Sequence, residues 1–283
     1  MDQGRELIHL ALFGRPIKSS LSPLIHGMFA EQFGLDIDYR LIETGPEEFP
    51  GALEDFRLAG GTGCNVTLPL KRDACQLATT VSDDVRNAQA ANTLIYQSSG
   101  WLAYNTDGTG LVTDLTVNNR ITLNGKHILI LGAGGATAGV LGNLLAAEPG
   151  EIVLVNRSEA RARALAERFQ AQGRVSTAPW QDLPSIGSTG RAGFNLVINA
   201  TSLGHHGLAP PLSNALFAPN SLCYDLNYFK ASLPLKYHCE KINQPYVDGL
   251  GMLVEQAARS FFIWTGKQPE TSGVIDTCQK DTG

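Results

Sequence analysis

The stretch His127-Ile128-Leu129-Ile130-Leu131-Gly132-Ala133-Gly134-Gly135-Ala136-Thr137 decides the fold. It reads as a short buried strand, a glycine-rich turn and the start of a long helix, the context in which a G-x-G-x-x-G pattern carries meaning. The third glycine position holds Thr137 instead. Gly132 permits the tight turn and Gly134 lets the backbone approach a pyrophosphate. Ala133, Gly135 and Ala136 complete a cradle at a helix N-terminus, whose dipole stabilises phosphate charge. The competing reading is a glycine-rich turn that binds nothing.

Downstream, the pattern predicts a second strand at Ile152 to Val155, further strands at Asn195 to Asn199 and Leu222 to Leu226, and a mostly buried helix over Val254 to Trp264. In NAD binders an acidic residue ends the second strand and accepts hydrogen bonds from the ribose hydroxyls. Here Asn156 and Arg157 occupy that place. A carboxylate would repel a 2′-phosphate, whereas Arg157, with Arg161 one helical turn later, can neutralise it through charge-assisted hydrogen bonds. That points to NADP(H), against the alternative that both arginines are solvated surface charge. Pro and Gly between Pro179 and Gly193 predict a surface connection.

Upstream, Leu7 to Phe13 reads as a strand. A helix follows with Ser22 as N-cap and Pro23 as first helical residue, ending at Gly34 and carrying the apolar stripe Leu24, Ile25, Met28, Phe29 and Phe33. Strands at Asp38 to Glu43 and Cys64 to Thr67 flank a helical pattern over Glu47 to Leu58, which is βαβ spacing. Asn92 to Tyr96 and Trp101 to Tyr104 flank Ser98-Ser99-Gly100, a hairpin signal that breaks the alternation, and a helix pattern starts at Gly108.

A length of 283 residues suggests two domains at about 100 to 200 residues each. With 43% hydrophobic and 17% charged residues, neither a disordered nor a supercharged chain fits. A net charge of −5 disfavours nucleic acid as main partner. The five cysteines are scattered without a C-x-x-C pair and read as thiols of a reducing compartment, so a cytoplasmic location is expected. Met1 to Phe13 carries Asp2, Arg5 and Glu6 and lacks a small-residue cleavage site before its apolar run, so it does not read as a signal peptide. Ile128 to Ala147 approaches membrane-spanning length, but Gly132, Gly134 and Gly135 interrupt it and Asn143 sits in its second half, so no membrane partner is expected.

Three polar signatures lie outside the glycine-rich turn. Ser20-Leu21-Ser22 precedes a helix N-terminus, where two hydroxyls and backbone N–H groups could receive a small carboxylate; the alternative is a plain cap and loop. Asn65-Val66-Thr67-Leu68-Pro69-Leu70-Lys71 and Asn105-Thr106-Asp107-Gly108 each end a strand with polar groups. Either alone could be a structural turn.

With Gly14-Arg15-Pro16, His26, Asn92-Thr93, Asn156-Arg157-Ser158, Asn199-Ala200-Thr201-Ser202, Tyr224-Asp225-Leu226 with Tyr228, and Asp248-Gly249-Leu250-Gly251-Met252 to Gln256, these motifs follow in an order and spacing that resembles the shikimate dehydrogenase family nearly end to end. The resemblance implies an α/β substrate domain, residues 1–107 completed by the C-terminal helices of 240–283, and a Rossmann-type NADP domain at 108–239, with an active-site cleft between them. It implies NADPH-dependent reduction of 3-dehydroshikimate to shikimate by a monomer or homodimer. It further implies that Ser20 and Ser22 hold the substrate carboxylate, that Asn65, Thr67, Asn92, Asp107 and Gln256 hold ring hydroxyls with Tyr228 close by, and that Lys71 and Asp107 are the catalytic pair. On the cofactor side it adds Thr201, Gly249 and Met252 to the glycine-rich turn, Asn156, Arg157 and Arg161.

This chain departs from the family pattern at Ala90-Ala91 before the Asn-Thr pair, at Ser232 in place of threonine, and at His205-His206, which reads as solvated loop and not a metal site because adjacent residues point apart. One rival is a quinate/shikimate dehydrogenase with dual NAD and NADP use, which an acidic residue after the second strand would favour. A non-enzymatic NADP-binding sensor would have lost Lys71 or Asp107. A methylene-tetrahydrofolate dehydrogenase relative has no obvious use for the paired serines and Gln256.

Overall fold

The computed structural model describes residues 7–183 and 193–280, and its contacts divide the chain into two units. One runs to Gly110 and resumes at Leu253; the other is Leu111–Met252. Residues 240–252, expected with the first unit, therefore belong to the second, where the strand Tyr246–Val247 extends a sheet by pairing with Cys223 and Tyr224. Residues 1–6 of the N-terminal reading and 184–192 of the proline- and glycine-rich connection lie outside the described residues.

The first unit begins β1 (Ile8–Gly14), α1 (Ser22–Phe33), β2 (Ile37–Glu43), α2 (Phe49–Leu58) and β3 (Gly63–Val66), close to the predicted βαβ units. α3 (Lys71–Leu77), β4 (Thr80–Val81) and α4 (Asp83–Ala88) follow, then the hairpin β5 (Thr93–Gln97) and β6 (Gly100–Tyr104), and α5 (Asp107–Thr113). The sheet order is β2-β1-β3-β5-β6-β4. β1 pairs in parallel with β2 and β3, whereas the hairpin makes β3–β5 and β5–β6 antiparallel. Phe13, Phe49 and Phe56 pack at ring distances of 5.4 and 5.7 Å under one face.

Two local expectations are corrected. Ser22 is the first residue of α1, not its N-cap: Leu21 stands at the cap with helical angles and no side-chain bond, and Pro23, which needs no N–H partner, sits in the first turn. Gly34 does end the helix, at φ 60, the left-handed conformation that glycine adopts without strain. Of the predicted stripe, Ile25 and Phe29 are buried beside His26 and Ala30, but Leu24 is exposed.

The second unit contains β7 (His127–Leu131), α6 (Gly135–Ala146), β8 (Glu151–Asn156), α7 (Glu159–Phe169), β9 (Val175–Pro179), β10 (Phe194–Asn199), β11 (Phe217–Asp225), α8 (Leu233–Lys241) and β12 (Tyr246–Val247). α9 (Leu250–Thr265) leads into the first unit, which α10 (Ser272–Lys280) completes. The second sheet is wholly parallel in the order β12-β11-β10-β7-β8-β9. Counted from its own first strand this is 6-5-4-1-2-3, the doubly wound dinucleotide-binding order, with its switch point between β7 and β10.

Both faces of that sheet are covered, which is why its strands read as continuous apolar runs. Ile128, Ile130, Ile152, Leu154, Leu196 and Ile198 point into one core beneath α6 and α7. Their neighbours Leu129, Leu131, Val153, Val155 and Val197 point into the other with Leu235 of α8. Each fully buried aliphatic contributes roughly 1.5–3 kcal/mol. The apolar stretch Ile128 to Ala147 is thus β7, a turn and α6; among the described residues no helix is long and apolar enough to cross a membrane.

Candidate active site

In the first unit the ends of β3, β6, α3 and α9 bring polar side chains to one place. Lys71 opens α3 and Asp107 opens α5, and Lys71 Nζ donates to Asp107 Oδ2 at 2.5 Å. Asp107 Oδ1 accepts from Asn92 Nδ2 at 2.7 Å, and Thr106 N and Oγ1 donate to Asn92 Oδ1 at 2.9 and 3.2 Å. Gln256 of α9 presents Oε1 to Asn92 Nδ2 at 3.2 Å and to the Thr106 hydroxyl at 3.3 Å, while its own Nε2 donates to Leu253 O.

A second group centres on Asn65, buried at the end of β3. Its Nδ2 faces Asn92 O, Thr93 Oγ1 and Ser260 Oγ at 3.1 to 3.2 Å, and its Oδ1 faces Tyr39 Oη at 2.8 Å and His26 Nε2 at 3.1 Å. Ser20 Oγ donates to Ser22 Oγ at 3.1 Å and accepts from Ser22 N at 3.2 Å. Burial pushes the Tyr39 phenol well above the usual range. Buried polar groups are costly when unpaired, so a network this dense fixes each side chain in one orientation.

In the second unit the glycine-rich turn follows β7 at the switch point. Gly132 has φ +106, and a Cβ there would lie 2.8 Å from Ala200 O, so the position accepts only glycine. A Cβ on Gly134 or Gly135 would meet nothing within 4 Å, leaving space in front of the N-terminus of α6. Ala133 N donates to Asn156 Oδ1 at 3.3 Å, and Thr137 Oγ1 donates to Gly132 O at 2.8 Å, so Thr137 ties the turn where the pattern has a third glycine. Asn156, Arg157, Ser158 and Arg161 line a pocket of about 430 Å³. Neither arginine has an ion-pair partner among the described residues.

Thr201 lies just past β10, its N and Oγ1 donating to Asn199 Oδ1 at 3.1 and 2.7 Å. Asn199 and Asn227 both donate to Asp225 Oδ1, and Asn227 Nδ2 also reaches Thr201 O at 3.1 Å. Burial pushes the Asp225 carboxyl up to about 6 despite these donors. Gly249 approaches Leu226 so closely that a Cβ would lie 2.5 Å from its carbonyl oxygen, and Met252 packs on the core beneath α6.

Of the residues singled out in the sequence, Asn65, Lys71, Asn92, Asp107 and Gln256 share one network, whereas Ser20 and Ser22 bond to each other. Thr67 follows β3 with its N–H on Phe13 O, and its hydroxyl has no partner among the described residues. Tyr228 belongs to the second unit, against Phe229 at 5.0 Å. His205 and His206 are exposed in a short 3-10 turn, and no group of three metal-ligating side chains occurs among the described residues. The sequence motifs do not include Tyr39, Thr93 as a network member, Ser260 or Asn227. Ser260 carries a usable signal, a small polar residue one turn after Gln256 on an otherwise apolar helix face.

Three family profiles match the chain: the shikimate dehydrogenase substrate binding domain over residues 12–94, shikimate / quinate 5-dehydrogenase over 115–206, and the shikimate 5′-dehydrogenase C-terminal domain over 249–279. A shikimate dehydrogenase (NADP(+)) of Alkalilimnicola ehrlichii is 45% identical over 266 residues, covering 94% of this chain and 96% of that protein. The crystal structure of an Ael1 enzyme from Pseudomonas putida superposes with a TM-score of 0.88 at 36% identity, covering 95% of this chain and 97% of the other. That of shikimate 5-dehydrogenase from Thermus thermophilus in complex with shikimate gives 0.83 at 32% identity, covering 98% and 99%.

Proposed function

The chain belongs to the shikimate dehydrogenase family, and from that premise we propose that it catalyses the reversible NADPH-dependent reduction of 3-dehydroshikimate to shikimate, on the route to chorismate and the aromatic amino acids. The observation that carries the reading is the Lys71–Asp107 pair at 2.5 Å, set in a network of neutral Asn, Gln, Thr and Ser side chains. A polyhydroxylated acid demands that inventory, because a site that hydrogen-bonds each hydroxyl rejects analogues lacking one.

The second unit fits NADP(H): a turn that only glycine permits, open space before a helix N-terminus, and two unpaired arginines on one pocket. When bound, the cofactor supplies a hydride donor and acceptor at nicotinamide C4. Gly132, Ala133, Gly134, Gly135 and Ala136 hold the pyrophosphate. Asn156, Arg157 and Arg161 take the adenosine ribose and its 2′-phosphate, and Thr201, Gly249 and Met252 belong to the nicotinamide end.

Ser20 and Ser22 receive the substrate carboxylate. Asn65, Thr67, Asn92, Asp107 and Gln256 address the ring hydroxyls, with Tyr228 beside the same ligand. Lys71 Nζ gives a proton to the substrate oxygen during reduction and takes it back during oxidation, while Asp107 orients the lysine. All these residues lie on one chain, so monomer and homodimer serve the reading equally. Five free cysteines fit a reducing cytoplasm.

The test is NADP reduction followed by absorbance with shikimate and quinate in parallel, repeated with NAD. Turnover with shikimate and NADP far above the other combinations supports the reading. Equal use of quinate or NAD moves the assignment to a dual-specificity enzyme, and NADP binding without turnover to a sensor.

A further inference from the structure

Asp225 ends β11 fully buried, and no step of the proposed reaction uses its carboxylate. Its Oδ1 accepts from Asn199 Nδ2 at 2.9 Å, from Asn227 N at 3.0 Å and from Asn227 Nδ2 at 2.8 Å, while its Oδ2 faces the Tyr246 hydroxyl at 3.5 Å. Hydrogen bonds from N–H groups to a carboxylate are charge-assisted and roughly twice as strong as neutral ones. A carboxylate this deep needs such donors, and in return it holds them in place.

The far ends of both amides fix their orientation. Asn199 Oδ1 accepts from Thr201 N, an atom that only donates, so its Nδ2 must face Asp225, and the Thr201 hydroxyl gives its proton to the same oxygen at 2.7 Å. Asn227 Nδ2 reaches Thr201 O at 3.1 Å, an atom that only accepts, so this amide cannot be reversed either. Both backbone polar groups of Thr201 are therefore bonded to amides that converge on Asp225. On the other side Gly249 N donates to Asn227 O at 3.0 Å, and a Cβ on Gly249 would lie 2.5 Å from Leu226 O and 3.1 Å from Asp225 O. The segment Asp225-Leu226-Asn227 thus grips the loop after β10 and the turn before α9 at once.

We infer that Asp225 is a positioning residue for hydride transfer: through the amides of Asn199 and Asn227 its carboxylate sets Thr201 and Gly249 in the places from which they frame the nicotinamide, without itself touching the cofactor. Hydride transfer depends steeply on the approach of two carbons, so a small shift of these walls costs rate while the contacts to the distant phosphates persist. The inference rests on the reading that Thr201 and Gly249 belong to the nicotinamide end.

Single turnovers with saturating shikimate and enzyme in saturating excess over NADP read the rate constant of the competent complex, which does not depend on the fraction of chains that fold. Asp225→Ala slows that rate constant roughly ten- to hundredfold and leaves the Kd for NADP within about threefold. Asp225→Asn keeps an acceptor oxygen toward the amides and falls between wild type and Asp225→Ala. Asn227→Ala, at a half-buried position, slows the turnover in the same direction and is the independent variant should Asp225→Ala fail to fold. Deuterium at the reacting carbon of shikimate slows the variants further, which marks hydride transfer as the step affected. A wild-type rate constant in Asp225→Ala and Asn227→Ala, or a loss confined to the Kd for NADP, while Thr201→Val slows the turnover, overturns the inference and leaves the nicotinamide-end reading intact. A wild-type rate constant in Thr201→Val as well overturns that reading itself.

Discussion

Lys71 Nζ lies 2.5 Å from Asp107 Oδ2 while Asp107 Oδ1 accepts from Asn92 Nδ2 at 2.7 Å, so both carboxylate oxygens are committed and the carboxylate cannot rotate. Lys71 opens one helix, Asp107 another, and Asn92 precedes β5; three elements converge on one bond. A lysine at a helix start would otherwise spread over many rotamers, and here one ammonium N–H is spent on holding a direction. Orientation achieved before substrate arrives lowers the entropic part of a reaction barrier.

Lys71→Ala is expected to lower kcat by about 10²- to 10⁴-fold, the usual contribution of a general acid–base group, with much smaller change in shikimate binding. Asp107→Ala loses turnover too. The double variant is little slower than the worse single one, because the pair acts on one proton. Steady-state kinetics with ligand titration decide the matter: near-normal kcat in Lys71→Ala removes the lysine from the chemistry.

Arg157 is exposed, without an ion-pair partner among the described residues, and on the same pocket as Arg161. Arg157→Ser should raise the KM for NADP with little change in kcat, since in the proposed reading the arginine meets a phosphate remote from the reacting carbon. NAD kinetics should barely move. Equal damage with both cofactors would make Arg157 a structural residue.

What is legible in the sequence follows from range. The sequence predicts β7 residue for residue, because a strand buried on both faces and bounded by glycine leaves an unbroken apolar run. It does not reveal α3, β4 and α4, which are two to seven residues long and too short for a period to show. Ser-Pro marks a helix start without saying which of its neighbours caps it, which is why the expected cap at Ser22 is one position off. Asn65 and Asp107 stand out as polar residues ending strands. Ser260 does not, since its partners Asn65, Thr93 and Thr106 are more than 150 positions away in the chain.

Ser20→Ala and Ser22→Ala should each raise the KM for shikimate with NADP affinity unchanged, and the double variant should be worse than either. Because Ser22 makes no capping bond, its loss should not carry the roughly 1 kcal/mol that removing an N-cap costs. Melting curves recorded beside the kinetics check this. A folded double variant that binds shikimate normally would place the carboxylate elsewhere.

His26 makes acid stability diagnostic. Burial pulls its pKa down to about 3 from an ordinary 6.5, against a weaker opposing effect of the Asn65 bond. Below pH 6.5 the unfolded chain binds a proton that the folded chain refuses, so the His26 contribution is fully present above 6.5 and is lost as pH falls toward 3. The total loss is on the order of 5 kcal/mol. Asp225, in the other unit, works the opposite way: its carboxyl, raised to about 6 from 3.8, holds a proton in the folded chain that the unfolded chain releases, so its burial costs stability as pH rises through that window. The wild-type profile therefore mixes both, and the quantity to measure is the difference between wild type and His26→Phe in urea midpoints from neutral pH to about pH 4.5. That difference should shrink as pH falls, because the phenylalanine has no proton to refuse. A difference that stays constant across the window would mean that His26 is not a buried neutral ring.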